Sequence, residues 1–203
     1  DFLYYLESVY SIPEWLGRFF VSMYGEELTE QTAEAFLEEM PTTIGVCESK
    51  ISVEAYKKML EEAKIAVSAG DYVPSALKLS GYDYIQKLPG YEEGFFRVQD
   101  ESSMLPVVVA AKFAPQAEKI LDVCAAPGGK TLFLAELLPK AKIEARDVSE
   151  FKVEKLEENI ERSGCFNVTT KIWDATVKDE SITGLPKEER YDVVMADLPC
   201  SGL

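Results

Sequence analysis

Between Lys119 and Leu138 an apolar run passes directly into small residues, two glycines and a helix. Lys119-Ile120-Leu121-Asp122-Val123 reads as a buried strand, and Thr131–Leu138 reads as a helix. The seven residues between them, Cys124-Ala125-Ala126-Pro127-Gly128-Gly129-Lys130, must turn the chain. Small side chains and paired glycines let a backbone turn tightly and approach a ligand closely. The first turn of the following helix offers unpaired N–H groups to a negatively charged group. A glycine-rich turn of any α/β protein has the same look, and two phosphate-binding patterns need testing. A Walker loop requires glycine where Cys124 stands, although Gly129-Lys130-Thr131 fits its end, and no Gly-x-Gly-x-x-Gly is present.

The segments around this turn set the fold class. Met104–Phe113 is an apolar helix and Lys142–Asp147 a second strand. Glu150–Ser163 is a helix with Val153, Leu156 and Ile160 inward, followed by strands at Val168–Trp173 and Tyr191–Ala196. Strand and helix in alternation predict an α/β fold, a parallel sheet with helices on both faces. Ligands of such sheets bind beyond the carboxyl ends of the strands, where the 124–130 turn falls.

The chain before Gln99 has a different rhythm. Pro13 stands at a helix start, and Trp15, Leu16, Phe19, Phe20 and Met23 recur at helical spacing until Gly25. A second helix is expected from Thr29, as its cap, to Met40, with Pro41 ending it. Thr42–Cys47 is β-like, a helix follows from about Ser52 to Ala66, and short β-like pieces lie at Tyr72–Leu79 and Phe95–Val98. The expected organisation is a small helical and α+β subdomain over 1–98, then a sheet domain over 99–203.

Composition narrows the chemistry. The four cysteines, Cys47, Cys124, Cys165 and Cys200, are scattered, and the chain has no histidine. That argues against a zinc site and against any base or triad built on imidazole, so no metal is expected. Catalysis must use Cys, Asp, Glu, Lys or Tyr. No apolar run reaches membrane-spanning length and no secretory start is visible, so a cytoplasmic protein without membrane contact is expected. The net charge of −15 is spread over both parts, with 17 acidic and 8 basic residues before Gln99 and 19 and 13 from there on. Binding to nucleic acid is normally driven by a basic face, which the composition does not supply.

Three acidic positions stand at strand ends. Asp147 closes the second strand, about twenty residues after the turn, where a carboxylate can accept hydrogen bonds from ribose hydroxyls. Asp174, after the third strand, would meet an adenine edge or cap the turn that follows. The fourth strand runs into Asp197-Leu198-Pro199-Cys200-Ser201-Gly202, placing a carboxylate and a thiol about a rigid proline. A thiolate can attack an electron-poor ring carbon, and a carboxyl group beside it can hydrogen-bond the ring.

Asp122-Val-Cys-Ala-Ala-Pro-Gly-Gly-Lys-Thr131 together with Asp197-Leu-Pro-Cys-Ser-Gly202 resembles the RNA cytosine-5 methyltransferases of the Sun (RsmB/RsmF-like) family. Val98–Met104, Asn159–Gly164 and Pro41–Lys50 are similar to other parts of that family, so the likeness runs along most of the chain. The resemblance implies a Rossmann-like, S-adenosylmethionine-dependent methyltransferase sheet and an RNA substrate, with ribosomal RNA first. It implies that the backbone of Cys124, Ala125, Ala126, Pro127, Gly128, Gly129 and Lys130 holds the methionine part of S-adenosylmethionine. Asp147 would bind the ribose and Asp174 would lie by the adenine. Asp197 and Pro199 would line the base pocket, and Cys200 would assist product release. The attacking cysteine would come from a later Thr-Cys-Ser motif, which adds to carbon 6 and makes carbon 5 nucleophilic.

Two departures accompany the likeness. Gly45 and Cys47 stand where the family often has arginine and asparagine, and the sequence stops at Leu203, before Thr-Cys-Ser. The family's strand order, 3-2-1-4-5-7-6, predicts about four contiguous strands here, 3-2-1-4, in an incomplete sheet. A fragment of this kind would bind cofactor and turn over little, and its open fourth strand would favour self-association. Rival expectations are a methyltransferase acting on transfer RNA or another substrate, and a non-catalytic module for cofactor binding or RNA assembly.

Overall fold

The computed structural model describes residues 1–38, 40–186 and 189–199. By internal contacts the chain divides into two units, Asp1–Pro41 and Thr42–Leu203. The first contains helices α1 (Phe2–Tyr10) and α2 (Glu14–Ala35), which close on Leu6, Ile12 and Ala33. Asp1 caps α1 by accepting a hydrogen bond from the Leu3 N–H, and Pro13 immediately precedes α2, where its fixed φ suits a helix start. Gly25 has the non-helical angles φ 77° and ψ 171°, so it ends the first helical run, as expected, and α2 is two helical limbs joined at a kink. The helix expected from Thr29 to Met40 is therefore the second limb of α2 and stops at Ala35. Thr29 is no cap: it is fully buried, and its hydroxyl donates to the Gly25 carbonyl oxygen one turn back at 2.7 Å.

The second unit holds two sheets. Strands β1 (Thr42–Val46), β2 (Ala66–Ala69), β3 (Ala76–Ser80) and β4 (Phe96–Val98) form an antiparallel sheet in the order β2-β3-β1-β4. Helix α3 (Val53–Glu62) is capped by Ser52 and packs Tyr56 and Leu60 against Ile44, Leu77, Leu79 and Phe96. The helix expected to reach Ala66 ends four residues earlier. Lys64 takes a left-handed conformation (φ 63°), which turns the chain into β2, a strand not anticipated from the sequence.

The other sheet is parallel. Its strands are β5 (Lys119–Asp122), β6 (Lys142–Asp147), β7 (Val168–Ile172) and β8 (Val193–Met195), in the order β7-β6-β5-β8. In sequence order this is 3-2-1-4, the predicted arrangement, and the sheet is Rossmann-like. Helices α4 (Glu101–Phe113), α5 (Gly129–Leu137) and α6 (Glu150–Ser163) bury Met104, Val107, Phe133, Leu134 and Leu156 with Ile120, Ile143 and Ala145 of the strands. Each such fully buried side chain contributes about 1.5–3 kcal/mol.

Charged side chains join the two sheets. The Glu101 carboxylate, at the start of α4, accepts from the backbone N–H groups of Asp71, Tyr72 and Val73 in the β2–β3 loop. Arg162 of α6 donates to the carbonyl oxygens of Tyr91 and Phe96, and the Lys50 ammonium donates to those of Glu93 and Arg162. Two basic residues, Lys50 and Arg162, are thus engaged in holding the unit together. Among the described residues no helix is long and apolar enough to cross a membrane.

Candidate functional site

The turn after β5 is held from inside. The Asp122 Oδ2 accepts from the Thr131 hydroxyl at 2.7 Å, bridging the end of the strand to the first turn of α5. Its Oδ1 is buried without a protein partner among the described residues. Burial pushes the Asp122 carboxyl above its ordinary range, against the lowering by the Thr131 hydroxyl and the Cys124 N–H. The Ala125 N–H donates to the Arg146 carbonyl oxygen, and the Ala126 N–H to Asp147 Oδ2 at 3.2 Å, so the turn is tied to the end of β6. The Pro127 carbonyl accepts from the Asn159 side chain of α6. Gly128 has φ 108°, and a Cβ there would meet Leu156 Cδ1 at 2.6 Å. Only glycine fits both conditions.

A cavity of about 350 Å³ opens beside this turn. Cys124 and Ala126 line it from the turn, Asp147 from β6, and Asp197 and Pro199 from beyond β8. The structure therefore brings together, at the carboxyl ends of three strands, residues up to 75 positions apart in the chain. Burial, and then the charges of Asp147 and Asp122, push the Cys124 thiol above its ordinary range, so it is a neutral wall rather than a thiolate.

The other expected residues lie as follows. Lys130 donates to Asp197 Oδ2 at 2.6 Å. Ala125 is buried behind the turn. Asp174 caps its own turn, its Oδ1 accepting from the N–H and hydroxyl of Thr176, while its neighbours Trp173 and Ala175 line the cavity. Those hydrogen bonds hold the Asp174 carboxyl below its ordinary range. Cys200 lies outside the described residues.

Sequence reasoning missed Val148, Lys152 and Trp173 on the cavity wall. The Lys152 ammonium lies 3.6 Å from Asp147 Oδ1, and Trp173 follows β7 directly. Their positions, Val148 next to Asp147, Lys152 in the first turn of the helix that follows it and Trp173 one residue before Asp174, were the available signals. Trp173 is fixed by its indole N–H donating to the Val177 carbonyl and by Arg146, whose guanidinium lies 5.4 Å from the ring centroid. Arg146 is itself clamped between Glu144 and Asp179. Hydrogen bonds from Ser181 and then from Arg146 hold the Asp179 carboxyl down at about 2, despite its burial.

Two family descriptions match the chain. Residues 110–203 match "16S rRNA methyltransferase RsmB/F", and residues 12–85 match the ferredoxin-like domain of RsmF/B-like methyltransferases. A ribosomal RNA small subunit methyltransferase B of Proteus mirabilis is 33% identical over 196 residues, covering 96% of this chain. The protein of that description from Escherichia coli is 32% identical over 197 residues, again 96% of this chain. The chain spans 44% of the length of each. The crystal structure of PH0851 superposes with a TM-score of 0.85 at 33% identity, over 98% of this chain and 44% of that one.

Proposed function

Since the chain belongs to the RsmB/F methyltransferase family, we propose that it binds S-adenosylmethionine in the cavity beside the 124–130 turn and serves methylation of carbon 5 of cytosine in ribosomal RNA. The observation that carries this reading is the convergence of Asp147, Trp173, the small residues of the turn and Asp197 on one cavity. Its volume, about 350 Å³, lies within the range of small-molecule sites.

The residues present fit this cofactor. The Asp147 carboxylate, held by the Val148 and Ala126 N–H groups, keeps lone pairs for ribose hydroxyls, with Lys152 beside it. Trp173 lines the cavity where the adenine would lie, and Asp174, next in the chain, would meet the adenine edge. The backbone of Cys124–Lys130, ending at the N-terminus of α5, would hold the methionine part, with Cys124 and Ala126 lining the cavity. When bound, S-adenosylmethionine supplies an electrophilic methyl group.

Asp197 and Pro199 form the side of the cavity left for the target base. The Asp197 carboxylate, oriented by the Lys130 ammonium, hydrogen-bonds the cytosine ring edge. Cys200 follows as the group that assists product release. The nucleophile adding to carbon 6 belongs to the Thr-Cys-Ser motif of the family and is not among these 203 residues. Residues 1–98 form the RNA-facing subdomain and 99–203 the beginning of the catalytic domain.

Calorimetric titration of S-adenosylmethionine tests the cofactor half. Saturable binding is expected, weakened about 10- to 100-fold in Asp147→Ala through loss of hydrogen bonds to a charged acceptor. No binding to the folded chain would sink this reading. The position of methylation is tested on small-subunit ribosomal RNA carrying tritium at cytosine carbon 5. In a chain extended by the family's Thr-Cys-Ser segment, tritium release with methyl incorporation is expected, and incorporation without release would assign the methyl group elsewhere.

A further inference from the structure

Arg97 is the most deeply buried basic side chain of the antiparallel sheet, at 4% exposure. An isolated buried guanidinium is costly, so its partners indicate what holds it there. Nη1 donates to Glu136 Oε2 at 2.6 Å, and Nε to Gln99 Oε1 at 3.2 Å. The guanidinium carbon lies 3.9 Å from the centroid of the Phe133 ring. Phe133 and Glu136, three residues apart, share one face of α5. The other Glu136 oxygen accepts from the Glu48 N–H at 2.6 Å. Gln99 in turn donates to the Ser103 carbonyl, and its side chain lies 3.4 Å from where a Cβ on Gly129 would stand. Gly129 is the first residue of α5.

The space for this arrangement comes from Gly45, the direct cross-strand partner of Arg97. A Cβ at residue 45 would meet the guanidinium at 2.9–3.1 Å. The guanidinium therefore lies flat over bare backbone and reaches across to the catalytic sheet.

The geometry points to Arg97 as a positioning residue for the cofactor turn, acting through α5 and Gln99. It grips α5 on one face at Phe133 and Glu136, and its partner Gln99 lies beside the first residue of that helix, Gly129. A shift or rotation of α5 carries Gly128, Gly129 and Lys130 with it, because they form its first turn. This role rests on the proposal that the turn holds S-adenosylmethionine.

The test is S-adenosylhomocysteine binding by calorimetry, with thermal unfolding measured on the same samples. Arg97→Met leaves Glu136 without its cation and is expected to destabilise the fold, so the decisive variant is the double substitution Arg97→Met with Glu136→Leu. Replacing both members of a buried pair by apolar groups commonly preserves stability. The double variant is expected to keep its unfolding temperature while binding S-adenosylhomocysteine about tenfold more weakly. Arg97→Lys, which keeps the charge beside Glu136 but not the fork to Gln99, is expected to fall between it and the parent. A folded double variant with parental affinity would overturn the positioning role and leave the cofactor site standing. Failure of the parent chain to bind would overturn the cofactor site and the positioning role with it. If the double variant unfolds, equal affinity of folded Arg97→Lys and the parent overturns the role.

Discussion

The Lys130 ammonium lies 2.6 Å from Asp197 Oδ2, joining the first turn of α5 to the segment beyond β8 across 67 residues of chain. Asp197 is largely exposed and Lys130 mostly covered, so the pair is partly solvated. A pair of that exposure contributes at most about 1 kcal/mol. Its consequence is orientation of the Asp197 carboxylate over the cavity.

Lys130→Met is accordingly expected to lower the unfolding temperature by no more than about 4 °C. In a chain extended by the family's Thr-Cys-Ser segment, methyl transfer to RNA is expected to fall by at least about tenfold, since Asp197 loses the group that aims it. Calorimetry and a methyl-incorporation assay on the same preparation separate the two. Full activity with a large loss of stability would assign the pair a purely structural role.

Gly128 and Gly129 are adjacent but not equivalent. Gly128→Ala places a side chain at φ 108° and drives its Cβ to 2.6 Å from Leu156 Cδ1, for a destabilisation of about 3 kcal/mol. Gly129→Ala meets Gln99 only at ordinary contact distance and is expected to cost less than about 1 kcal/mol. Urea unfolding of the two variants measures the difference, and equal losses would contradict it.

Asp122 makes stability depend on pH in an uncommon sense for a carboxylate. Its folded-state pKa is raised by burial, so between the unfolded value, about 4, and the folded value the folded protein holds the extra proton. This group's contribution to stability therefore falls as pH rises through that window. In Asp122→Asn that slope should vanish. Unfolding temperature recorded from pH 4 upward, parent against variant, checks the sign. Parallel curves would show that Asp122 does not titrate in this way.

Asp179 acts in the opposite direction. Its pKa is held at about 2 by Ser181 and Arg146, so its stabilisation is complete above the unfolded value near 4 and is lost as pH falls toward 2. Protonation releases one end of the Arg146 clamp over Trp173. In a Trp15→Phe background, Trp173 fluorescence is expected to change between pH 4 and about 2, and the change should be absent in Asp179→Asn. A change that persists in that variant would place its origin elsewhere.

The sequence by itself determined the parallel sheet. β6 and α6 fall on the residues read from it, Lys142–Asp147 and Glu150–Ser163, because the alternation of Ile143 and Ala145 with charged residues and a 3.6-residue apolar stripe are local signals. The glycine-rich turn was legible for the same reason, as was the family likeness. Local pattern failed at Lys64, where a left-handed residue in a continuous amphipathic run converts an expected helix into strand β2, and at Thr29, a buried helical residue with a capping residue's chemistry. Only the tertiary structure decided that Lys130 meets Asp197, that Trp173 and Lys152 share a wall with Asp147, and that Gly45 is empty so that Arg97 can lie over it. Each of these joins segments brought together by strand order or cross-strand register. Hydrophobic periodicity specifies which face of an element is buried, but not which distant side chain will lie against it.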